Sequence, residues 1–247
     1  MLFRSLTLSA FSGGSAHNAI PSAAEALVVM PEGEAERFAA VVGAEWERRF
    51  ESFCETDPAA RFELEAAPLP ESAISPEDTA AYCGLMLAVV NGVCAMSRAI
   101  PGLVETSSNL GVAELSADTA KFIVHQRSSE LASIAELKKD FSDKAEQFGF
   151  TMSVISSTPP WPVRPGSVLV EKCLRAYRSL TGRDMTVEPV HAGLECGSFS
   201  VKNPALDIVS IGPDIPDIHS PRETLVLETV YRLEALVRDV LKDIAAS

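Results

Sequence analysis

Several features that mark large protein classes are missing from this chain. No apolar run reaches the roughly 18–20 residues that a helix needs to cross a bilayer. The longest candidate, residues 82–93, is interrupted by Gly84, Asn91 and Gly92. Basic residues are scarce: 21 lysines and arginines face 34 acidic residues, for a net charge of −13. The basic clusters are pairs only, Arg48-Arg49 and Lys138-Lys139, and read as solvated helix faces. A phosphate backbone needs a clustered basic surface, so neither nucleic acid nor a membrane is an expected partner. The five cysteines are odd in number and none forms a CxxC pair. That argues against a disulfide framework or a thiolate zinc site and favours a reducing, cytoplasmic setting. No internal repeat and no long low-complexity tract is visible.

What is present is enough apolar material for a real core: 47% of the 247 residues are hydrophobic. One large domain or two modest ones are expected. The N-terminal stretch alternates Leu6, Leu8 and Ala10 with Ser5, Thr7 and Ser9, which reads as a strand rather than a secretory signal. A Gly13-Gly14 turn leads to a second strand over 24–30. Helical spacing follows over 33–54, then an alternating segment over 61–66. Ser75-Pro76-Glu77-Asp78 is a helix start, with Ser75 as N-cap and proline at the first helical position. That helix is expected to run to about Val90, with Asn91-Gly92 as its stop. A strand pair is expected over 105–114 and 120–127, then a helix over 130–148. The order ββαβαββα predicts an antiparallel sheet backed by helices, an α+β layer. After a further strand over 151–156, the proline-rich crossing 157–165 marks a boundary. Beyond it, helices over 167–180, 192–199 and 223–244 alternate with strands over 186–189 and 207–212, as in an α/β sheet.

Chemistry-bearing residues concentrate in a few places. His219 lies in a proline-flanked loop, 213–221, that follows the expected strand 207–212; ligands in α/β sheets gather at the carboxyl ends of strands. In the segment 190–199, His191, Gly193, Glu195, Cys196 and Gly197 suggest a close backbone approach, either for packing or for a pocket. Cys196 reads as a buried structural thiol rather than a nucleophile. Arg127, at the end of a strand, has the fork geometry that grips a carboxylate in two places, although a surface ion pair is the commoner use. Asn18 follows the Gly-Gly turn and would by default close it.

Together these segments resemble aminoacyl-histidine dipeptidase, the Xaa-His (carnosine-type) member of the di-zinc dipeptidase, carboxypeptidase and deacylase superfamily. The residues that carry the resemblance are Gly13-Gly14 with Asn18-Ala-Ile-Pro21, Asn91-Gly-Val93, Met96-Ser97, Pro101-Gly-Leu-Val-Glu-Thr-Ser107, Asn109-Leu-Gly111 and Arg127-Ser-Ser129. They continue with Trp161, His191-Ala-Gly-Leu-Glu-Cys-Gly197, Ser210-Ile-Gly-Pro213 and His219-Ser-Pro221. The resemblance implies a lid and dimerisation domain over 1–155, whose start is missing, and the C-terminal part of an α/β zinc-peptidase catalytic domain over 156–247. It implies His219 as a zinc ligand and Asn18 and Arg127 as dipeptide contacts, with Arg127 on the terminal carboxylate. Gly193 and Glu195 would line the substrate pocket. A homodimer through the lid sheet, or a missing N-terminal half, is the implied partner.

The resemblance also shows what is not here. The family chain is about twice as long, and the half that carries its His-x-Asp motif and Glu-Glu pair has no counterpart; neither motif occurs in these 247 residues. The family's two zinc ions would find at most one incomplete site. A catalytic zinc takes three protein ligands and a water, with a carboxylate to move the proton. No catalytic residue is therefore assigned, and little activity is expected from this chain alone. The competing readings are a non-catalytic assembly or substrate-binding module and, last, a metal-free hydrolase using Cys196 and His191.

Overall fold

The computed structural model describes residues 5–98, 102–159, 161, 164–187, 194–218 and 222–246. The chain divides into two compact units. One comprises Met1–Cys94, Ser107–Gln126 and Ala135–Ser153, the other Ala95–Thr106, Arg127–Ile134 and Val154–Ser247.

A five-stranded sheet is formed by β1 (Thr7–Gly13), β2 (Ala24–Val29), β3 (Gly92–Met96), β4 (Val104–Leu115) and β5 (Ala120–Ser128). The strand order is β2-β1-β4-β3, with β5 also paired to β4. β1 runs antiparallel to β2 from Thr7↔Val29 to Gly13↔Ala24, with an irregularity between Leu8 and Ala10. It runs antiparallel to β4 through Phe11↔Leu115 to Gly13↔Ala113. The helices of this part are α1 (Ala35–Phe50), α2 (Pro76–Ala88) and α3 (Leu131–Gln147). The expected antiparallel sheet backed by helices is therefore present.

The core of the first unit forms around α2. Thr79, Tyr82 and Leu85 recur at three-residue steps on one helix face and are each 1% exposed. Tyr82 packs with Leu8 and Leu115, and Phe11, Phe122 and Phe150 close around it. Burial of each large apolar side chain stabilises by about 1.5–3 kcal/mol. Ser75 caps α2 as expected, its Oγ accepting from the Asp78 N–H at 3.0 Å. Beside the β1 irregularity, Leu8 stays in register with Val28 and its backbone also bonds outside the sheet. Its N–H donates to Thr79 Oγ1 at 3.0 Å, and its carbonyl accepts from the Ile74 N–H at 2.9 Å.

The second unit contains α4 (Val168–Thr181), α5 (Glu195–Lys202) and α6 (Leu227–Ala245). Cys173, Leu236 and Val240 form its buried core, and Leu169, Tyr177, Val209 and Ile211 pack against them. Burial pushes the Cys173 thiol pKa up. Gly182 ends α4 in the left-handed region, at φ 69°, as glycine does after many helices. Lys172 on α4 reaches Asp243 on α6 at 3.0 Å.

Several expectations differ. Residues 61–66 form no strand; Phe62 instead stacks on Trp46 of α1, with ring centres 5.9 Å apart. Residues 151–156 and 207–212 also carry no strand pairing. A strand exists only through a neighbour's ladder, and among the described residues these segments have none. Val209 and Ile211 still alternate into the core, so the apolar pattern is used for packing without a sheet. α2 ends at Ala88, before the expected stop at Asn91-Gly92, but the strand Gly92–Met96 that follows is unexpected. Of the expected strand 186–189, residues 186 and 187 are not in a strand, and the rest lies outside the described residues.

Candidate functional site

Asn18 sits in the first unit, on a turn pressed against β4. The Ala19 N–H donates to the Ala16 carbonyl at 3.3 Å, so His17 and Asn18 are the two central residues of the turn. Below it lies Gly111. A Cβ built there would come within 2.7 Å of both the Ala16 and His17 carbonyl oxygens. Gly14, at φ 73°, begins the excursion, and a Cβ on it would meet the Gly111 oxygen at 2.0 Å. Two glycines therefore allow the backbones to touch.

Asn109 fixes this turn. Its Nδ2 donates to the His17 carbonyl at 3.0 Å and to the Ala19 carbonyl at 2.8 Å, using both amide hydrogens. The next residue is tied from another direction, because the Leu110 N–H donates to Asn91 Oδ1 at 2.8 Å. Asn18 is exposed on the resulting platform. The imidazole of its neighbour His17 meets His125 of β5 edge to face, with ring centres 5.2 Å apart and planes at 63°. The roles of Asn91, Asn109 and Gly111, and the His17–His125 contact, escape sequence reading because they join positions far apart in the chain. The Asn109-Leu-Gly111 segment is part of the sequence resemblance, but its residue types alone do not reveal a clamp.

Arg127 is half-buried near the end of β5. The following residue holds the strand end. Ser128 Oγ lies 2.8 Å from Thr106 Oγ1 and accepts from the Glu130 N–H at 3.0 Å, at the approach to α3. Glu195 is exposed at the first position of α5, where a carboxylate favours the positive end of the helix dipole. Gly197 beside it is buried and donates to the Leu194 carbonyl at 3.0 Å. His219, His191 and Gly193 lie outside the described residues.

Among the described residues, no three or more His, Cys, Asp or Glu side chains gather to hold a metal ion. The described residues alone therefore do not make up a complete catalytic zinc centre, which takes three protein ligands. Also among the described residues, no helix is long and apolar enough to cross a membrane.

No family model matches the chain. It is 27% identical over 246 residues to the cytosol non-specific dipeptidase of Escherichia coli (strain K12), covering 98% of this chain and 50% of that protein. The crystal structure of aminoacylhistidine dipeptidase from Vibrio alginolyticus is similar at a TM-score of 0.82 and 27% identity, covering 96% of this chain and 49% of that one. The chain thus spans about half the length of the relatives it matches. It is homologous to cytosol non-specific dipeptidase, and its fold matches the C-terminal half of aminoacylhistidine dipeptidase.

Proposed function

We propose that these 247 residues supply the substrate-contacting lid and the C-terminal catalytic portion of a zinc-dependent dipeptidase acting on Xaa-His dipeptides. The lid spans 1–155 and the catalytic portion 156–247. Asn18 and Arg127 contact the dipeptide, Arg127 through the terminal carboxylate, while Gly193 and Glu195 line the pocket. His219 contributes one zinc ligand. Hydrolysis then requires the remaining half of the fold, and the lid sheet provides a homodimer contact. A cytoplasmic setting, with no nucleic acid or membrane partner, goes with this reading.

The observation that carries it is the similarity along nearly the whole chain, together with the clamped turn that presents Asn18. The need for another half is supported by α6, where Leu227, Tyr231, Leu241 and Ile244 are 62%, 71%, 59% and 46% exposed. An apolar stripe of this kind calls for a partner or for self-association.

The test is zinc-supplemented hydrolysis of a Xaa-His dipeptide by the purified 247-residue polypeptide, alone and mixed with the N-terminal half of a related dipeptidase. The expected result is no turnover alone and zinc-dependent turnover in the mixture, lost in His219→Ala. Turnover by the polypeptide alone would overturn its incompleteness. No turnover in a mixture that demonstrably associates would favour the assembly-module reading instead.

A further inference from the structure

His17 and His125 are two titratable, metal-ligating side chains in direct ring contact, with centres 5.2 Å apart. His125 precedes Gln126 on β5, and Gln126 sends its Nε2 to the Leu137 carbonyl of α3 at 3.0 Å. Side chains alternate across a strand, so His125 occupies the opposite sheet face, away from α3. His17 reaches the same place from the turn, with its carbonyl held by Asn109 and its Cα against Gly111. Two imidazoles from sequence positions 108 residues apart are thus brought together, one on a strand and one on a pinned turn.

We propose that His17 and His125 form a two-imidazole site for a zinc- or copper-class divalent ion. Imidazole nitrogens bind such ions at about 2.0–2.1 Å, which at a tetrahedral angle sets two ring centres roughly 5 Å apart. The observed separation is 5.2 Å. The outer torsion of histidine is broad and two-fold, so each ring has two orientations that present different nitrogens to a shared ion. Each imidazole has two ring nitrogens, and a ligating histidine commonly donates its second N–H elsewhere. His17 is exposed and His125 half-buried, so solvent reaches the pair. Imidazole suits zinc, copper and nickel, and the net charge of −13 draws cations toward the chain. The site is made wholly from the first unit and does not depend on His219 or on dipeptidase activity.

The experiment titrates Zn(II) into the whole 247-residue chain and follows the histidine ring nitrogens by NMR, with calorimetry for affinity. The ring signals of His17 and His125 should move together and saturate at one ion per chain, and should do so equally in His219→Ala. His17→Gln and His125→Gln should each weaken this event at least tenfold, with a circular-dichroism melt confirming the fold. Wild-type signals that move independently, or that move only at His191 or His219, would overturn the site whether or not the variants fold. So would an affinity unchanged in folded His17→Gln. Zinc bound only through His219 would leave the dipeptidase reading standing and end this proposal.

Discussion

Asp207 holds the start of α4 across 40 residues of sequence: its Oδ1 accepts the Ser167 hydroxyl at 2.6 Å. Its Oδ2 accepts the Leu169 N–H at 2.9 Å, while Ser167 Oγ accepts the Val170 N–H at 3.0 Å. A helix start leaves its first N–H groups without intrahelical partners, and here one serine and one distant carboxylate satisfy two of them. The same carboxylate anchors the extended segment that carries Val209 and Ile211 into the core. The Ser167 hydroxyl is the main cause, and the Leu169 N–H the second, that hold the Asp207 carboxyl below the ordinary aspartate value of 3.8.

This pairing makes the second unit acid-sensitive. Because the folded pKa lies below the unfolded one, the contribution is fully present above the unfolded value. It is lost as pH falls through the folded value. Asp207→Asn should lower stability at pH 7 by about 1–3 kcal/mol, and Ser167→Ala by about 0.5–2 kcal/mol. In melts from pH 7 to pH 3, wild type should fall toward the Asp207→Asn curve. A gap that stays constant down to pH 3 would show that ionisation of the carboxylate does not carry the effect.

The second prediction concerns the buried contact between Leu8 and Thr79. Thr79→Val keeps the shape but removes the acceptor of the Leu8 N–H, leaving a buried donor unsatisfied at a cost of about 1–3 kcal/mol. Thr79→Ser retains the oxygen and should lose less. Urea denaturation of the pair checks the order; equal losses would show that the methyl group contributes as much as the hydroxyl and would overturn the order.

The Asn18 turn gives a third. Asn109→Ala removes two donors from the turn, and Gly111→Ala forces a Cβ to within 2.7 Å of two carbonyl oxygens. Both changes should raise amide exchange at residues 16–19. Gly111→Ala should be the more destabilising, by about 1–3 kcal/mol, because its clash is with backbone and not with a movable side-chain end. Unchanged exchange in Asn109→Ala would mean that the glycine contacts alone fix the turn.

These relationships also mark what could be read from the sequence. The helix start at Ser75 was legible, because an N-cap acts within its own helix turn. The antiparallel sheet and its helical backing were legible from alternation and spacing, and the dipeptidase resemblance from short segments in order. Residues 207–212 show the limit. Their apolar alternation is real and is used against α4 and α6, but strand formation depends on a neighbour that the local sequence does not specify. The reverse holds for Gly92–Met96, where a weak local pattern becomes a strand because β4 is beside it. Asn109 and the His17–His125 pair were illegible for the same reason, since each takes its meaning from a residue about 90 positions or more away.

The last prediction separates core from surface on one helix. Leu236 of α6 is 3% exposed and packs with Cys173 and Val240, whereas Leu241, five residues on, is 59% exposed. Leu236→Ala removes buried methyl groups and leaves a cavity, so it should cost about 2–5 kcal/mol. Leu241→Ala removes similar atoms from a side chain already largely in water and should stay within about 0.5 kcal/mol. Denaturant titrations of the 247-residue polypeptide at several protein concentrations check both. A loss for Leu241→Ala that grows with concentration would show that copies of the chain already cover this face, since self-association stabilises by mass action. A loss of several kcal/mol independent of concentration would instead place Leu241 within the folded core and overturn its assignment to the surface.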